Sequence, residues 1–435
     1  MPAEGGAVAE PKAFAEVILW GRTLGGVVEL DDGAIVFEYD PDFRSSGLEV
    51  SPVHLPLSTR GPIRFEELRR MPAFRGLPGL LADALPDAFG TTVIRAYYTA
   101  RGEVEKAFSP VQHLLYVGDR AMGALRFQPA EQLPHRAAEA EALEVAALVA
   151  DARRIISGDA DVAIPELFRI GSSAGGMRPK AVVLFDPGRR EVRSAFAEPS
   201  DDDVHALLKF DGVGGCHTGA LGEPEPFNRI EATYARLAKD AGLHVVTIDV
   251  LESEQGHAHL VIPRFDRTAD GGLHQHTLGG LLHVDYDTPG ASSYEEYLRT
   301  MLKLEMPQAA VVEGFRRMVF TALTVNQDDH VKNLSFQMDR RGTWSPTPAY
   351  DLTFAHGQGF TSAHQMRVNG KRAWIERQDL LEVARTFGIR NPDRVIDEIA
   401  EVLSRWDDYA KAQDVPAEAR RRVGQALEAR RAEVG

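Results

Sequence analysis

Cysteine is almost absent from these 435 residues: Cys216 is the single one, so no internal disulfide can form. A reducing compartment is the expected setting, and we place the protein in the cytoplasm. Long apolar runs are missing as well, since none approaches the roughly 20 residues that a membrane-spanning helix requires. The opening MPAEGGAVAE holds neither a basic nor an apolar stretch, so we expect no secretory signal. These absences predict a protein without a membrane partner.

Basic residues are outnumbered, because 49 Lys and Arg face 64 Asp and Glu, for a formal net charge of -15. Phosphate contacts need clustered Lys and Arg, so this balance argues against a protein that binds nucleic acid alone. The basic run Arg420–Arg422 is more typical of the solvated face of a terminal helix. We therefore expect contact with DNA only through a partner protein.

The composition is that of a globular protein, with 44% hydrophobic and 26% charged residues, and the length allows two or three domains. Residues 1–12 are small, acidic or proline-containing and are expected to be disordered. A strand-rich block is predicted over 13–134, a mixed block over 135–266 and a largely helical block over 267–435. The predicted fold class is α+β.

Strand patterns dominate the first two blocks. AEVILW, GVVEL and AIVFEY predict strands, with a hairpin turn at Asp31–Gly33. In the second block KAVVLF and HALLKF predict strands, and the glycine-rich GSSAGG precedes them. Helical periodicity predicts one helix from His135 to Ile156 and another from Ile230 to Ala241.

The stretch VNQDDHVKN directly follows an apolar helical segment, Val311 to Leu323. The apolar residues of that segment recur on one helix face, so the stretch is attached to a packed element, as a catalytic group requires. Asp328 and Asn333 are five apart. This is the spacing of the protein-kinase catalytic loop, where the Asp accepts a hydroxyl proton and the Asn binds magnesium. A solvated loop after a core helix is the alternative, because the spacing also occurs by chance.

A hairpin is predicted next: LSFQM is a strand, DRRG a turn, and TWSPTP a returning segment that delivers Asp351. A kinase needs a second carboxylate after such a hairpin, to bind Mg²⁺ that bridges the nucleotide phosphates. Asp351 suits that role. By its position alone, a turn-forming Asp is the better interpretation.

Two upstream features offer contacts for phosphates. The backbone N–H groups of GSSAGG can cradle phosphates, although a flexible hairpin is the alternative. Lys209 lies in the predicted strand HALLKF, and a lysine is rarely buried without an anionic partner; an edge-strand lysine that reaches water is the alternative. Glu231 could be the partner, but Asn228 and Glu231 also have the spacing of a capping box. Both interpretations of Glu231 remain open.

The chain resembles the HipA family of serine/threonine kinase toxins in a series of motifs, which in order are FRIGSSAGGMRPKAVV, HALLKF, NRIEATYARLAKDAGL, RFDR, NQDDHVKN and PAYDL. The earlier GLPGLLADALPDAFG and VGDRAMGAL look like the N-terminal portion of that family. The resemblance covers most of the chain, roughly from Val17 to the C-terminal helices. It implies a two-lobed protein-kinase-like fold with an additional N-terminal strand-rich subdomain and a largely helical C-terminal lobe.

By this resemblance Asp328 is the catalytic base, His330 and Lys332 support it, and Asn333 and Asp351 bind Mg²⁺. The resemblance also implies an ATP site, with Phe265 near the adenine and Asp266 near the ribose; its residues are Lys209, Glu231, Phe265, Asp266, Ser173, Gly175 and Gly176. In the family, phosphorylation of a serine in the glycine-rich loop switches the kinase off. Ser172 and Ser173 are both candidates for that serine.

The resemblance further implies the partners. The substrate in the family is an aminoacyl-tRNA synthetase, the glutamyl-specific enzyme in the best-known member or another of its class, so phosphorylation would stall translation. The usual partner is a HipB-like helix-turn-helix antitoxin that binds operator DNA, which agrees with the acidic charge of this chain.

Two other functions are compatible with the same residues. A catalytically silent relative could act as a binding or regulatory module, although such a module would not need Lys209 together with Asp328, Asn333 and Asp351. A metal-dependent hydrolase is the other alternative. It would share Asp328 and Asp351 with the kinase set and add Asp329 and His330. A kinase prefers Mg²⁺ and oxygen ligands, whereas a site containing histidine could take Zn²⁺ or Mn²⁺.

Overall fold

The computed structural model describes residues 11–131, 143, 145–157, 178–195, 197–213, 226–254, 256–269 and 271–434. The glycine-rich GSSAGG and Cys216 lie outside these ranges. Within them the protein has the predicted α+β class, with strands concentrated in the first half of the chain and helices in the second.

The first block is built on a four-stranded antiparallel sheet with the strand order β3-β2-β1-β4. Its strands are β1 Pro11–Leu19, β2 Arg22–Leu30, β3 Ile35–Tyr39 and β4 Leu125–Gln128; its helices are α1 Pro41–Arg44, α2 Gly79–Ala82, α3 Ala88–Ala100 and α4 Pro110–Val117, with 3₁₀ turns at Glu66–Arg70 and Gly118–Arg120. Alternate residues of β1 are buried, as expected for a strand with one face on the core. Gly33 forms the predicted hairpin turn with a φ of 77°, which glycine adopts without steric cost.

The second block is a five-stranded antiparallel sheet with the order β6-β5-β7-β9-β8, and one helix packs against it. Its elements are α5 Val145–Ser157, β5 Lys180–Asp186, β6 Glu191–Ser194, β7 Val204–Lys209, α6 Phe227–Asp240, β8 Asp249–Glu252 and β9 Ala258–Pro263. Every residue of β5 is buried, and its central five residues, AVVLF, are all apolar.

The third block is mostly helical. Its elements are β10 Arg267–Thr268, β11 Gly271–Gly272, β12 His274–Thr277, α7 Leu278–Leu282, α8 Tyr294–Lys303, α9 Gln308–Leu323, β13 Ser335–Met338, β14 Trp344–Pro346, a 3₁₀ turn at Gly359–Ser362, α10 Arg377–Thr386, α11 Pro392–Ser404, α12 Trp406–Lys411 and α13 Ala417–Val434. Strands β12, β13 and β14 form a small antiparallel sheet, and the hairpin β13–β14 is the one predicted before Asp351. Helix α9 is buried along most of its length, so it anchors the loop that follows it.

The first block packs tightly against the third. A Cβ atom added to Gly79 in α2 would lie 1.9 Å from the carbonyl oxygen of Gly280 in α7, so only glycine allows these two helices to approach. Beside this contact, Oδ2 of Asp83 accepts hydrogen bonds from the backbone N–H of Thr277 at 2.7 Å and from Nδ1 of His276 at 2.6 Å. The first block is therefore attached at a fixed position beside the cleft between the other two.

Two residues of the segment that was expected to be disordered over residues 1–12, Pro11 and Lys12, lie in a strand. Strand β1 starts at Pro11, which pairs with Leu30, and Nζ of Lys12 lies 3.3 Å from Oε1 of Glu29. The prediction is wrong for these two residues, because strand pairing and the ion pair hold them on the sheet. Among the described residues no helix is long and apolar enough to cross a membrane.

Candidate active site

One lysine joins the second and third blocks across the cleft between them. Lys209 ends β7, and its Nζ lies 2.6 Å from Oε1 of Glu231 on α6. The same ammonium group donates to Oδ1 of Asp351 in the third block. Burial by itself would lower the pKa of Lys209, but the carboxylates of Asp351 and Glu231 outweigh it and hold this pKa above its ordinary value. The cleft therefore contains a lysine that stays charged at neutral pH.

The position of Glu231 decides between its two sequence interpretations. Helix α6 begins at Phe227, and no side chain caps its N-terminus. Asn228 lies inside the helix instead, where its Nδ2 donates to the carbonyl oxygen of Ala258 at 2.9 Å. The capping box is therefore absent, and Glu231 faces inward as the partner of Lys209.

Asp351 is held in an unusual backbone conformation with a φ of 52°. Aspartate enters this left-handed region more readily than most residues. Burial raises the pKa of the Asp351 carboxyl, but the positive charges of Lys209 and Lys180 prevail and hold it well below its usual range. The cleft thus contains a carboxylate that remains ionised. Because this carboxylate also bonds to Lys209, Asp351 is more than a turn-forming residue.

The loop after α9 is fixed at both ends. Val325 has a φ of 54°, a conformation that is rare for a β-branched residue and costs about 1–3 kcal/mol. The N–H of Gln327 donates to the carbonyl oxygen of Ala355 at 2.9 Å, which ties the start of the loop to a neighbouring segment. At the other end, Nδ2 of Asn333 donates to the backbone oxygen of Asp328 at 2.8 Å. The loop is therefore a rigid support rather than a solvated connection.

The carboxyl of Asp328 is half-buried. Burial, together with the negative charges of Asp351 and Asp329, raises its pKa to about 7 against the opposing effect of Arg178. A carboxyl group with a pKa near neutrality is matched to the transfer of protons at physiological pH. Asp328 can thus serve as a proton acceptor in this environment.

Asp329, the neighbour of Asp328, has a different role. Its Oδ1 accepts from the N–H of Gln365 at 2.7 Å, and its Oδ2 accepts from Tyr294 at 3.2 Å and from Nδ1 of His364 at 3.0 Å. Through these hydrogen bonds the carboxylate of Asp329 holds the loop in place. Across the described ranges no three His, Cys, Asp or Glu side chains form a group that could hold a metal ion.

His330 and Lys332 complete the loop. Burial lowers the pKa of His330 to about 4, so the imidazole is neutral at pH 7, and its ring lies 5.3 Å from that of Tyr286. Burial also lowers the pKa of Lys332, whose Nζ lies 4.8 Å from the centre of the same tyrosine ring. Lys332 lines the cleft together with Asn333, so its charge is available to an anionic ligand.

The cleft is open to solvent, and together with the solvent space at its mouth it spans about 1050 Å³. Its apolar wall includes Leu207, Ile262 and Phe265, and the ring of Phe265 stacks against Tyr350 at 5.9 Å between centres. Its cations are Lys180, Lys209, Arg264 and Lys332. A flat apolar surface beside several cations suits a nucleotide, which joins an aromatic base to phosphates.

Two oxygen donors lie at the same cleft and suit a divalent metal ion. The carboxylate of Asp351 and the side-chain amide of Asn333 both line it. Because Nδ2 of Asn333 is used in the bond to Asp328, its Oδ1 is the atom left to face a ligand. Oxygen ligands of this kind, few in number, are what Mg²⁺ binds when phosphates supply the remainder.

Asp266 was predicted to lie near the ribose, and its carboxylate is bonded to other groups of the protein. It is fully buried, and its Oδ1 accepts from Nε of Arg264 at 2.9 Å while its Oδ2 accepts from the N–H of Gly123 at 2.8 Å. Its pKa is lowered, because the charge of Arg264 outweighs the effect of burial. The carboxylate instead holds the link between the lobes to the first block. Sequence reasoning could not see this, since Gly123 is 143 residues away.

Part of the predicted site lies outside the described residues: Ser172, Ser173, Gly175 and Gly176. Conversely, two acidic residues of the first block, on which no prediction was made, lie at the cleft or pair with a residue that lines it. Asp83 lines it, and Asp87 pairs with the cleft residue Lys180. In the sequence both lie in ADALPDAFG, where a short polar side chain near proline indicates only a turn or a helix cap.

Comparison with known proteins agrees with this architecture. The HipA-like C-terminal domain family matches residues 172–406, and the HipA N-terminal domain family matches residues 15–128. A Sinorhizobium fredii protein that is provisionally named a kinase is 31% identical to this chain over 150 residues. These residues cover 34% of this chain and 36% of that relative. This chain therefore matches about a third of the length of the curated relative.

Among solved structures, the HipA toxin of Shewanella oneidensis, in complex with HipB and its operator DNA, covers 97% of both chains. The TM-score is 0.69 and the sequence identity is 19%, which shows a common fold. Both family matches and the shared fold agree with the motifs from which the resemblance was inferred. This chain belongs to the HipA family.

Proposed function

We propose that the protein is an ATP- and Mg²⁺-dependent serine/threonine protein kinase of the toxin–antitoxin type. The observation that carries the proposal is the set of charged groups at one cleft. Lys209 is paired with Glu231 and Asp351, and burial together with the nearby charge of Asp351 raises the pKa of Asp328 to about 7. A lysine for phosphates, a metal-binding carboxylate and a proton acceptor are the parts that phosphoryl transfer requires.

The proposed reaction transfers the terminal phosphoryl group of ATP to a protein hydroxyl. Asp328 accepts the hydroxyl proton as the oxygen attacks the γ-phosphorus, and the bond between that phosphorus and the β-phosphate oxygen breaks to release ADP. Lys209 positions the α- and β-phosphates. Asn333 and Asp351 would hold Mg²⁺, whose charge offsets that of the phosphates. Phe265 would contact the adenine from the link between the lobes.

The proposed substrate is an aminoacyl-tRNA synthetase, such as the glutamyl-specific enzyme, and the proposed setting is the cytoplasm. The proposed partner is a HipB-like helix-turn-helix antitoxin. The Shewanella oneidensis protein with the same fold is in complex with HipB and operator DNA, which supports this partner. The net charge of -15 supports contact with DNA through the antitoxin rather than directly.

The test is mass spectrometry of the purified protein after incubation with ATP and Mg²⁺, with and without a panel of purified synthetases. We expect phosphate on a serine or threonine of one synthetase, and on the glycine-rich loop of the protein itself. Omission of Mg²⁺ should abolish both. If no protein in the panel, nor the protein itself, gains phosphate while ATP binds with ordinary affinity, a catalytically silent binding module is the better description.

A further inference from the structure

Two arginine side chains lie side by side over Gly290, in the loop that leads into α8. A Cβ atom added to Gly290 would lie 2.8 Å from Cδ of Arg372 and 3.3 Å from Nε of Arg367. Gly290 is buried and has a φ of 76°, so a larger residue here would be strained and would push the two side chains away. The glycine therefore makes room for both guanidinium groups.

Neither arginine has a carboxylate partner within the part of the chain that the structure describes. Lys371, between them in the sequence, pairs with Glu376 and Asp379. Oε1 of Glu295 on α8 accepts from the N–H of Asn369 at 2.8 Å. Two like charges held this close repel each other, and the chain as a whole is acidic with a net charge of -15. A pair of uncompensated cations on such a protein indicates a site for an external anion.

Both arginines belong to a segment that holds the loop of the proposed proton acceptor. Nδ1 of His364 and the N–H of Gln365 bond to the carboxylate of Asp329 at 3.0 Å and 2.7 Å. Nε of Arg372 donates to the carbonyl oxygen of His364 at 2.6 Å, and Arg367 follows Gln365 by two residues. Asp329 is the direct neighbour of the proton acceptor. The pair is thus fixed close to the place where a protein hydroxyl would be phosphorylated.

The arginine pair lies outside the cleft that suits the nucleotide. Neither Arg367 nor Arg372 is among the side chains that line it. Arg367 is exposed and Arg372 is partly buried, so a ligand can reach them from solvent. An anion bound here would therefore come from a molecule other than the nucleotide.

Trp374 gives a second indication of a binding surface. It follows Arg372 by two residues, its side chain is 80% exposed, and its φ is 56°. A large residue seldom adopts this left-handed conformation, and such strain is concentrated at functional sites. Tryptophan and arginine are also the residues most enriched among those that dominate the affinity of protein–protein contacts.

We propose that Arg367 and Arg372 bind an acidic side chain of the protein substrate, near the hydroxyl that receives the phosphate, and that Trp374 supplies an apolar contact. The inference rests on the proposed kinase function and deepens it, because it names what the substrate presents. A guanidinium group binds a carboxylate through two parallel hydrogen bonds, so this pair suits one or two carboxylates. RNA is the poorer occupant, because binding its phosphate chain takes a larger cluster of cations.

The test is titration of the full chain with fluorescently labelled peptides, followed by anisotropy, in the presence of Mg²⁺ and a non-hydrolysable ATP analogue. Each peptide has one serine among alanines and a run of Asp or of Lys on one side. On one of the two sides, we expect the Asp peptide to bind about tenfold or more tightly than the Lys peptide, as for one charge-assisted contact. An oligoribonucleotide of the same length should compete weakly with the Asp peptide.

Arg367→Gln combined with Arg372→Gln should remove most of this preference, while MgATP affinity stays within about twofold. Glutamate at both positions should reverse the preference, because Lys peptides then meet carboxylates. Trp374→Ala should weaken the two peptides by the same factor, since an apolar contact does not depend on charge. The matched control is Arg385→Gln, which alters an exposed arginine of α10 that pairs with Glu382 and should leave binding unchanged.

The outcomes separate the inference from the proposed function. If the wild type binds Asp and Lys peptides equally, or the glutamine variant keeps the preference, the inference is overturned and phosphate transfer still tests the kinase proposal. Tighter binding of RNA than of the Asp peptide, lost in the same variant, would overturn the acidic protein segment as the occupant. If the preference is present but neither a synthetase nor the protein itself gains phosphate, the kinase proposal falls and only the docking surface remains.

Discussion

Asn333 closes the loop onto Asp328 through the backbone, because its Nδ2 donates to the carbonyl oxygen of Asp328 at 2.8 Å. The side chain of Asp328 plays no part in this bond. A substitution that changes only the carboxyl of Asp328 therefore leaves the loop tied. The chemistry of the site can thus be separated from its fold by mutation.

We expect Asp328→Asn to reduce phosphoryl transfer by about 10²–10⁴-fold, the usual contribution of a general base. Nucleotide affinity and thermal stability should stay close to those of the wild type. The assay is transfer of labelled phosphate from ATP. Asp339→Asn is the matched control, since Asp339 holds the β13–β14 turn through the N–H groups of Arg341 and Thr343 and does not line the cleft. Near-normal transfer in Asp328→Asn would remove Asp328 from the reaction.

Asp351→Asn should impair MgATP binding far more than the binding of ATP without metal. The carboxylate acts through the ion, so metal-free affinity changes little. Asparagine is the appropriate replacement because it tolerates the left-handed conformation at this position, where φ is 52°. Titration of ATP with Mg²⁺ and with excess chelator measures both affinities. An equal fall in the two would make Asp351 a structural residue.

The pKa of Asp328 should be near 7 in metal-free protein, because burial and two neighbouring carboxylates raise it. The measurement is the pH dependence of its carboxyl ¹³C resonance, identified by its loss in Asp328→Asn. Asp351→Asn removes a negative charge and should lower this pKa, whereas Arg178→Gln removes a positive charge and should raise it. Shifts of the same sign in both variants would contradict the described electrostatics.

Asp266→Ala should destabilise the protein rather than weaken nucleotide binding specifically. The substitution leaves Arg264 as an unpaired buried charge, a change that typically costs about 3–5 kcal/mol. The folded-state pKa of Asp266 is lowered, so its contribution is present above the unfolded pKa and is lost as pH falls through the folded value. The stability difference from the wild type, measured by denaturant unfolding, should therefore shrink below about pH 4. Full stability with reduced ATP affinity would support the predicted position of Asp266 near the ribose.

Phosphorylation of Ser172 or Ser173 should lower ATP affinity. A phosphate adds roughly -1.5 to -2 charge, close to where the glycine-rich loop would place the phosphates of ATP. We expect the protein to modify itself at one of these serines and to lose activity. ATP titrations of the phosphorylated and phosphatase-treated protein, with Ser172→Ala and Ser173→Ala, test this. Equal affinities would reject the switch, and absence of phosphate at both serines would reject its premise.

Local sequence patterns were sufficient to predict helices and strands, but not the contacts between residues that are far apart in the chain. The apolar periodicity of α9 and the alternation in β1 and β7 predicted these elements, because each pattern reports burial of one face. The spacing of Asp328 and Asn333 indicated the loop, which the structure shows as a tied turn. The bond between Asp266 and Gly123 could not be predicted because the two residues are remote in sequence. Asp87 was overlooked because a cap and an ion pair look the same in sequence.

The close approach of Gly79 to Gly280 bears on how the chain can be divided. A shortened protein that keeps only residues 172–406, the range of the C-terminal family match, would uncover the surface of α7 on which α2 packs. It would also leave the buried pair of Arg264 and Asp266 without the backbone of Gly123. Recombinant expression of that range alone should therefore give aggregated material. We therefore expect residues 172–406 to need the first block in order to fold.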